Sequence, residues 1–292
     1  MIRTLMQQLD FPAEAVTALG RAFDGIAADP EAFALLANAA DAMFLRDDNA
    51  FTDKLQSIAD KTGIHRYTVD MVFLLFCGRA LRYLYASRGY SEELFLAAMS
   101  DTRFKLLECR RVYGVWGTFV LFWYPGFYRM TRFKLGRLQY DVMRQNDGDI
   151  PGFVREGDPV LNCHIPSSGP LLSDEVNASL RMAYDFLPES RVDGALAVQC
   201  HSWLLYPPLV EKLPADSNIR RFADRFTVYN QKEDPGNNNF WRVFGVMWHE
   251  GALNEVTPKS SLEKAVCELI AEGGTMGVGF GILRVTADLP QK

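Results

Sequence analysis

Pro159-Val160-Leu161-Asn162-Cys163-His164-Ile165 runs straight into Pro166-Ser167-Ser168-Gly169-Pro170, and from Ser173 to Phe186 the apolar residues recur at helical spacing. The first seven residues read as a strand, the proline-bounded residues as a loop, and the rest as a helix. A strand followed by a helix and then another strand returns the second strand parallel to the first. That second strand is predicted over Ala195–Leu205 and carries a second Cys-His dipeptide, Cys200-His201. Adjacent side chains of a strand point to opposite faces, so each dipeptide offers one residue to the core and one to a site. In open α/β sheets ligands bind beyond the carboxyl ends of such strands, which makes the turn after His164 the chief functional clue.

C-terminal to this unit the pattern predicts a mostly helical crossover from Pro208 to about Phe222, then a strand pair, Arg225–Gln231 and Phe240–Val246, around the loop tip Asp234-Pro235-Gly236-Asn237-Asn238-Asn239. A helix over Ser260–Ala271, stopped by Gly273-Gly274, and a strand over Gly277–Val285 close the chain. Gly277, Gly279 and Gly281 alternate, so one face of that strand has no side chains and either the packed helix or a ligand approaches it closely. Upstream, Tyr128–Val142 alternates as paired strands and Asn146-Asp147-Gly148-Asp149 is a turn signal. The sheet is therefore mixed, with a parallel centre.

Residues 1 to about 115 read as helices. Asp29-Pro30-Glu31 has an N-cap and a first-turn proline, with Phe33, Leu35, Leu36, Ala39 and Ala40 following at helical spacing. A long helix is predicted over Arg66–Ser87 with Gly89 as its C-terminal glycine, and two more over Ser91–Ser100 and Thr102–Tyr113. The uncharged stretch Val112–Tyr128 is broken by Gly114, Gly117, Pro125 and Gly126, and reads as a buried hinge instead of a membrane span. The fold class expected is α+β: a helical N-terminal domain, residues 1–125, then a mixed α/β sheet domain, residues 126–292.

The chain has 292 residues, 48% hydrophobic and 23% charged, with a formal net charge of -5, an ordinary composition with room for two cores. An acidic balance speaks against a general nucleic-acid binder, and nothing suggests a membrane partner. The N-terminus lacks the apolar core and small-residue cleavage site of a signal peptide, so a cytoplasmic location is expected. Five cysteines without a C-x-x-C spacing fit reduced, buried thiols. The basic residues cluster: Arg103–Arg137 holds eight against one acid, Glu108. Such a run either steers an anionic ligand or pairs with an acidic surface.

Three motifs carry a family resemblance: His164-Ile165-Pro166-Ser167-Ser168-Gly169-Pro170-Leu171, Cys200-His201-Ser202-Trp203-Leu204-Leu205, and Leu213-Pro214-Ala215-Asp216-Ser217-Asn218-Ile219. They resemble the signature of bacterial acyltransferase-domain proteins, whose helical N-terminal domain precedes a C-terminal domain similar to the N-acetyltransferase fold abbreviated GNAT. The likeness covers nearly the whole chain. It implies a transferase that moves an acyl group from acyl-CoA, its co-substrate, to an amine or hydroxyl of a small-molecule acceptor. It also implies that the fourth and fifth strands, Pro159–Ile165 and Ala195–Leu205, splay around the thioester. Pro166–Leu172 would be the phosphate loop, with Pro166, Ser167, Ser168 and Gly169 holding the cofactor and His164 and His201 near the cleft.

The loop differs from the usual Q/R-x-x-G-x-G/A pattern. Only Gly169 is present, Pro166 and Pro170 each remove a donor, and Asp174 and Glu175 follow the expected N-cap Ser173. The alternative is a non-catalytic small-molecule binding or regulatory protein on the same fold. An imidazole titrates near neutrality, so His164 and His201 are the candidate acid-base residues, or else structural histidines bonded to backbone. Cys163 and Cys200 cannot easily join their neighbouring histidines on one zinc ion, because the side chains of each dipeptide diverge. No metal site is expected. Their apolar surroundings read as inert thiols, and Trp203, Trp241 and Trp248 as core.

Overall fold

Asp29 starts a helix as its place before Pro30 predicts, its carboxylate accepting from the amides of Glu31 and Ala32. The computed structural model describes residues 2–288 and divides into two units, Met1–Arg132 and Phe133–Lys292. The first contains α1 (Ile2–Gln8), α2 (Ala13–Ala28), α3 (Pro30–Phe44), α4 (Asp48–Thr62), α5 (Arg66–Ser87), α6 (Glu92–Tyr113) and the one-turn α7 (Pro125–Tyr128). α5 is the central helix, buried along Val69–Leu75 and again at Cys77, Leu81 and Tyr85. The stretch expected to be a hinge packs into this unit. The Thr118 amide donates to the Tyr67 carbonyl at 2.9 Å, and the buried Tyr128 hydroxyl donates to the Leu74 carbonyl at 2.6 Å. No described helix is long and apolar enough to cross a membrane.

The sheet is built from β1 (Arg132–Leu135), β2 (Leu138–Arg144), β3 (Pro159–His164), β4 (Leu196–Ser202), β5 (Thr227–Asp234) and β6 (Met276–Val285), in the order β1-β2-β3-β4-β6-β5. The remaining helices are α8 (Ser173–Phe186), α9 (Pro207–Val210), α10 (Asn218–Ala223), α11 (Phe240–Phe244) and α12 (Ser261–Ala271). β3 and β4 are parallel, joined through α8, while β2–β3, β4–β6 and β5–β6 are antiparallel. The expected α+β class and the mixed sheet with a parallel centre are what the structure shows. Ser179 of α8 ties that helix to the β1–β2 hairpin. Its hydroxyl donates to the Leu135 carbonyl, so it must accept from both the Leu138 amide and the Tyr140 hydroxyl.

The bare face of β6 belongs to packing. A Cβ on Gly277 would touch the Tyr206 ring, on Gly279 it would collide with the Leu205 carbonyl, and on Gly281 it would lie 2.8 Å from the Leu205 side chain.

Several local expectations are corrected. The two helices expected over Ser91–Ser100 and Thr102–Tyr113 are one, α6 with Ser91 as its N-cap, because Ser100 and Thr102 bond back to the carbonyls of Ala97 and Met99 instead of capping a new start. Phe240–Val246 is not a strand: Phe240 packs against Phe244 one turn later, with tilted rings whose centroids are 4.5 Å apart, in the core with Trp248. Tyr128 belongs to α7, and the paired strands begin at Arg132. The crossover before β5 is helical as expected, in two short pieces, α9 and α10. Ser173 is the first residue of α8, whose N-cap is Leu172 with no side-chain cap.

Candidate active site where two strands part

The parallel ladder between β3 and β4 is brief. Among the described residues it pairs Leu161 with Val198 and Asn162 with Gln199, and goes no further. Beyond that point each strand pairs only outward: Cys163 with Tyr140 and His164 with Gln139 on one side, Cys200 with Gly281 and His201 with Phe280 on the other. The two Cys-His dipeptides thus flank a gap in the middle of the sheet. Strand alternation then sorts their side chains. Cys163 and Cys200 lie buried on the face covered by α8 and the Leu205–Tyr206 segment, and His164 and His201 lie on the other face.

His164 Nε2 donates to the Asp141 carboxylate at 2.8 Å, both side chains less than one-fifth exposed. An ionised carboxylate only accepts, so this bond puts the imidazole proton on Nε2 and makes Nδ1 the basic nitrogen of the neutral ring. Asp141 pairs in register with Asn162, the residue two before His164, and therefore shares its face. Asn162 Nδ2 lies 3.5 Å from His164 Nε2, and its buried Oδ1 has no hydrogen-bond partner.

Across the gap His201 Nε2 lies 3.0 Å from the Tyr229 hydroxyl and its ring 4.8 Å from that of Phe280. Burial holds the His201 pKa below its ordinary value; Asp147 works against this and His164 adds to it. Beneath, Gln199 donates to Gln145 at 2.5 Å, closing the polar face where Ile150 and Val154 begin to pack with Val160, Ala197 and Ile282.

The loop after β3 is held from below by Arg137, a buried residue of the hairpin turn. Its guanidinium donates to the carbonyls of Pro166 at 2.9 Å, Gly169 at 2.5 Å and Pro170 at 2.9 Å, and to the Ser168 hydroxyl at 3.2 Å. Gly169 sits at φ +117°, which favours glycine. The structure therefore brings Ser168 and Gly169 together around one guanidinium, with Pro166 and Ser167 leading into the loop from His164.

Neither Asp141 nor Arg137 is among the candidates read from the sequence. Arg137 lies inside the basic run, but that run is not one patch: Arg103 donates to the Asp10 carbonyl, Lys105 pairs with Glu108, Arg129 with Asp48, and Arg132 donates to the Trp123 carbonyl. Cys163 is held well above the ordinary thiol pKa by its contact with Cys200 and by burial, which leaves it protonated.

Comparison with known proteins agrees with this fold. Residues 132–283 match the GNAT-like C-terminal domain, and residues 1–130 match the N-acyltransferase N-terminal domain. No curated protein matches the chain. An acyltransferase solved in complex with decanoyl-CoA and teicoplanin is similar at 25% identity and a TM-score of 0.75, over 99% of this chain and 87% of that one. An acyltransferase with decanoyl-CoA alone is similar at 26% identity and a TM-score of 0.72, over 97% of this chain and 87% of that one. An acyltransferase in complex with CoA and 10C-teicoplanin gives 25% and 0.75, over 99% and 87%. The strand gap, the helical unit before it and these matches have one explanation: the chain belongs to the family that joins an N-acyltransferase N-terminal domain to a GNAT-like C-terminal domain.

Proposed function

We propose that this protein transfers an acyl group from acyl-CoA to an amine or hydroxyl of a small-molecule acceptor, by direct attack in the gap between β3 and β4. The observation that carries the reading is the parting of these strands with an Asp141-oriented His164 at its edge. His164 Nδ1 takes the proton of the attacking amine or hydroxyl as the new bond to the carbonyl carbon forms. The carbon–sulfur bond then breaks and CoA leaves as its thiolate, which takes up a proton. Asp141 stabilises the imidazolium without itself being protonated. His201, held neutral, positions the donor or acceptor with Tyr229, and Pro166, Ser167, Ser168 and Gly169 bind the diphosphate of CoA.

Support comes from similar acyltransferases that hold decanoyl-CoA and teicoplanin. Buried, unpaired thiols fit a reducing, cytoplasmic setting. Calorimetric titration with acetyl-CoA and decanoyl-CoA, joined to a thiol-release assay over a panel of amines, tests the reading. Binding and acceptor-dependent CoA release are expected. No binding up to millimolar donor would sink it, and binding without release on any acceptor would leave a binding protein.

A further inference from the structure

Arg137 spends its donors in an unusual way. A guanidinium has five N–H groups in a rigid fork, normally matched to carboxylate or phosphate. Here three of its four contacts are main-chain carbonyls of a single five-residue loop, those of Pro166, Gly169 and Pro170. The fourth is the Ser168 hydroxyl, which accepts from Nη1 and so must direct its own proton elsewhere. With the carbonyls gathered on one side, the amides of Ser168, Gly169, Leu171 and Leu172 make no hydrogen bond among the described residues. Successive amides without carbonyl partners are what a phosphate group is bound by.

The loop needs such help. Pro166 and Pro170 remove two amides from it, and Asp174 and Glu175 bring negative charge to the first turn of α8. Arg137 lies close enough to Glu175 for the two charges to interact, and so offsets part of that repulsion.

We infer that Arg137 is a positioning residue for the donor's diphosphate, drawing the loop carbonyls onto its guanidinium so that the loop amides and the Ser168 hydroxyl are left for the anion. This rests on the reading of Pro166–Gly169 as the diphosphate site. Lysine cannot replace it fully, since one ammonium cannot reach carbonyls spread along the loop in a planar fork.

The experiment compares two donors with the same acyl group: decanoyl-CoA, and decanoyl-N-acetylcysteamine, which lacks the diphosphate. Arg137→Ala should raise KM for decanoyl-CoA by roughly 10-fold or more with a much smaller change in kcat, the scale of one lost set of charge-assisted hydrogen bonds. It should lose far less with the truncated donor, and Arg137→Lys should recover part of the loss. Where Arg137→Ala fails to fold, Arg137→Lys and Gly169→Ala carry the same comparison, the latter straining the loop at its positive φ. Equal losses on both donors, or an unchanged KM for decanoyl-CoA, overturn the inference. Failure of the functional reading looks different: the unaltered protein would then bind neither donor.

Discussion

One residue step separates the two faces of the sheet at the strand gap, and the two faces follow different chemistry. On the first, Cys163 and Cys200 are fully covered, the contact with Cys200 together with burial raises the Cys163 pKa and burial raises that of Tyr140, and every tolerance is set by close packing. On the second, His164 and His201 keep polar neighbours, Asp141 and Tyr229, and partial access to solvent. What covers a face decides its role. α8 and the Leu205–Tyr206 segment seal the first, so identical cysteines become small apolar fillers there. The second is sealed only towards the start of the strands, by Ile150 and Val154, and stays polar where β3 and β4 part.

The sharpest way to break this contrast is His164→Ala. On the polar face it should lower turnover with any accepted substrate by roughly 10²-fold or more, the usual scale for losing a general base, while leaving the fold intact by circular dichroism. His201→Ala should mainly raise the substrate requirement. Small, equal effects from both would make both histidines structural and move the chemistry elsewhere.

On the packed face the expected loss is one of stability. Gly279→Ala sets a methyl group against the Leu205 carbonyl, where the backbone has no room to yield. Overpacking of this kind costs about 1–3 kcal/mol, read as a lower urea midpoint. An unchanged midpoint would show that this face gives way more easily than its geometry implies.

The smallest effect concerns pH and only the polar face. Because the His201 pKa in the folded protein lies below its unfolded value, the unfolded chain takes up the proton first as pH falls. The folded state should therefore lose stability as the pH drops below about 6.5, the ordinary histidine value. The facing groups are Asp147, His164 and Tyr229. His201→Asn should narrow the gap between urea midpoints at pH 7.5 and pH 5.5; a wider gap would mean that attraction to Asp147 outweighs burial.

How much of this was legible before the structure depended on the range of the interaction. β3, its loop and α8 were read nearly to the residue, because a period-two run, a proline pair and a helical repeat are local signals. His164 followed from the same stretch. Asp141 and Arg137 did not, since one meets His164 through strand register and the other reaches a loop about 30 residues downstream. Phe240–Phe244 misled because a short aromatic run suits a strand and a buried helical turn equally, and tertiary packing chose between them. Ser100-Asp101-Thr102 misled because the same hydroxyls that cap a helix also bond back within one.

The register of β3 has a consequence for length changes in the gene. Removing or adding one residue within Pro159–Asn162 while the rest of the pairing holds would exchange the two faces, turning the Cys163 thiol to the polar face and the His164 imidazole towards the sealed core. The site is thus protected less by the identity of the residues before it than by their number. Substitutions there are graded in effect, whereas a single codon gained or lost is all or nothing.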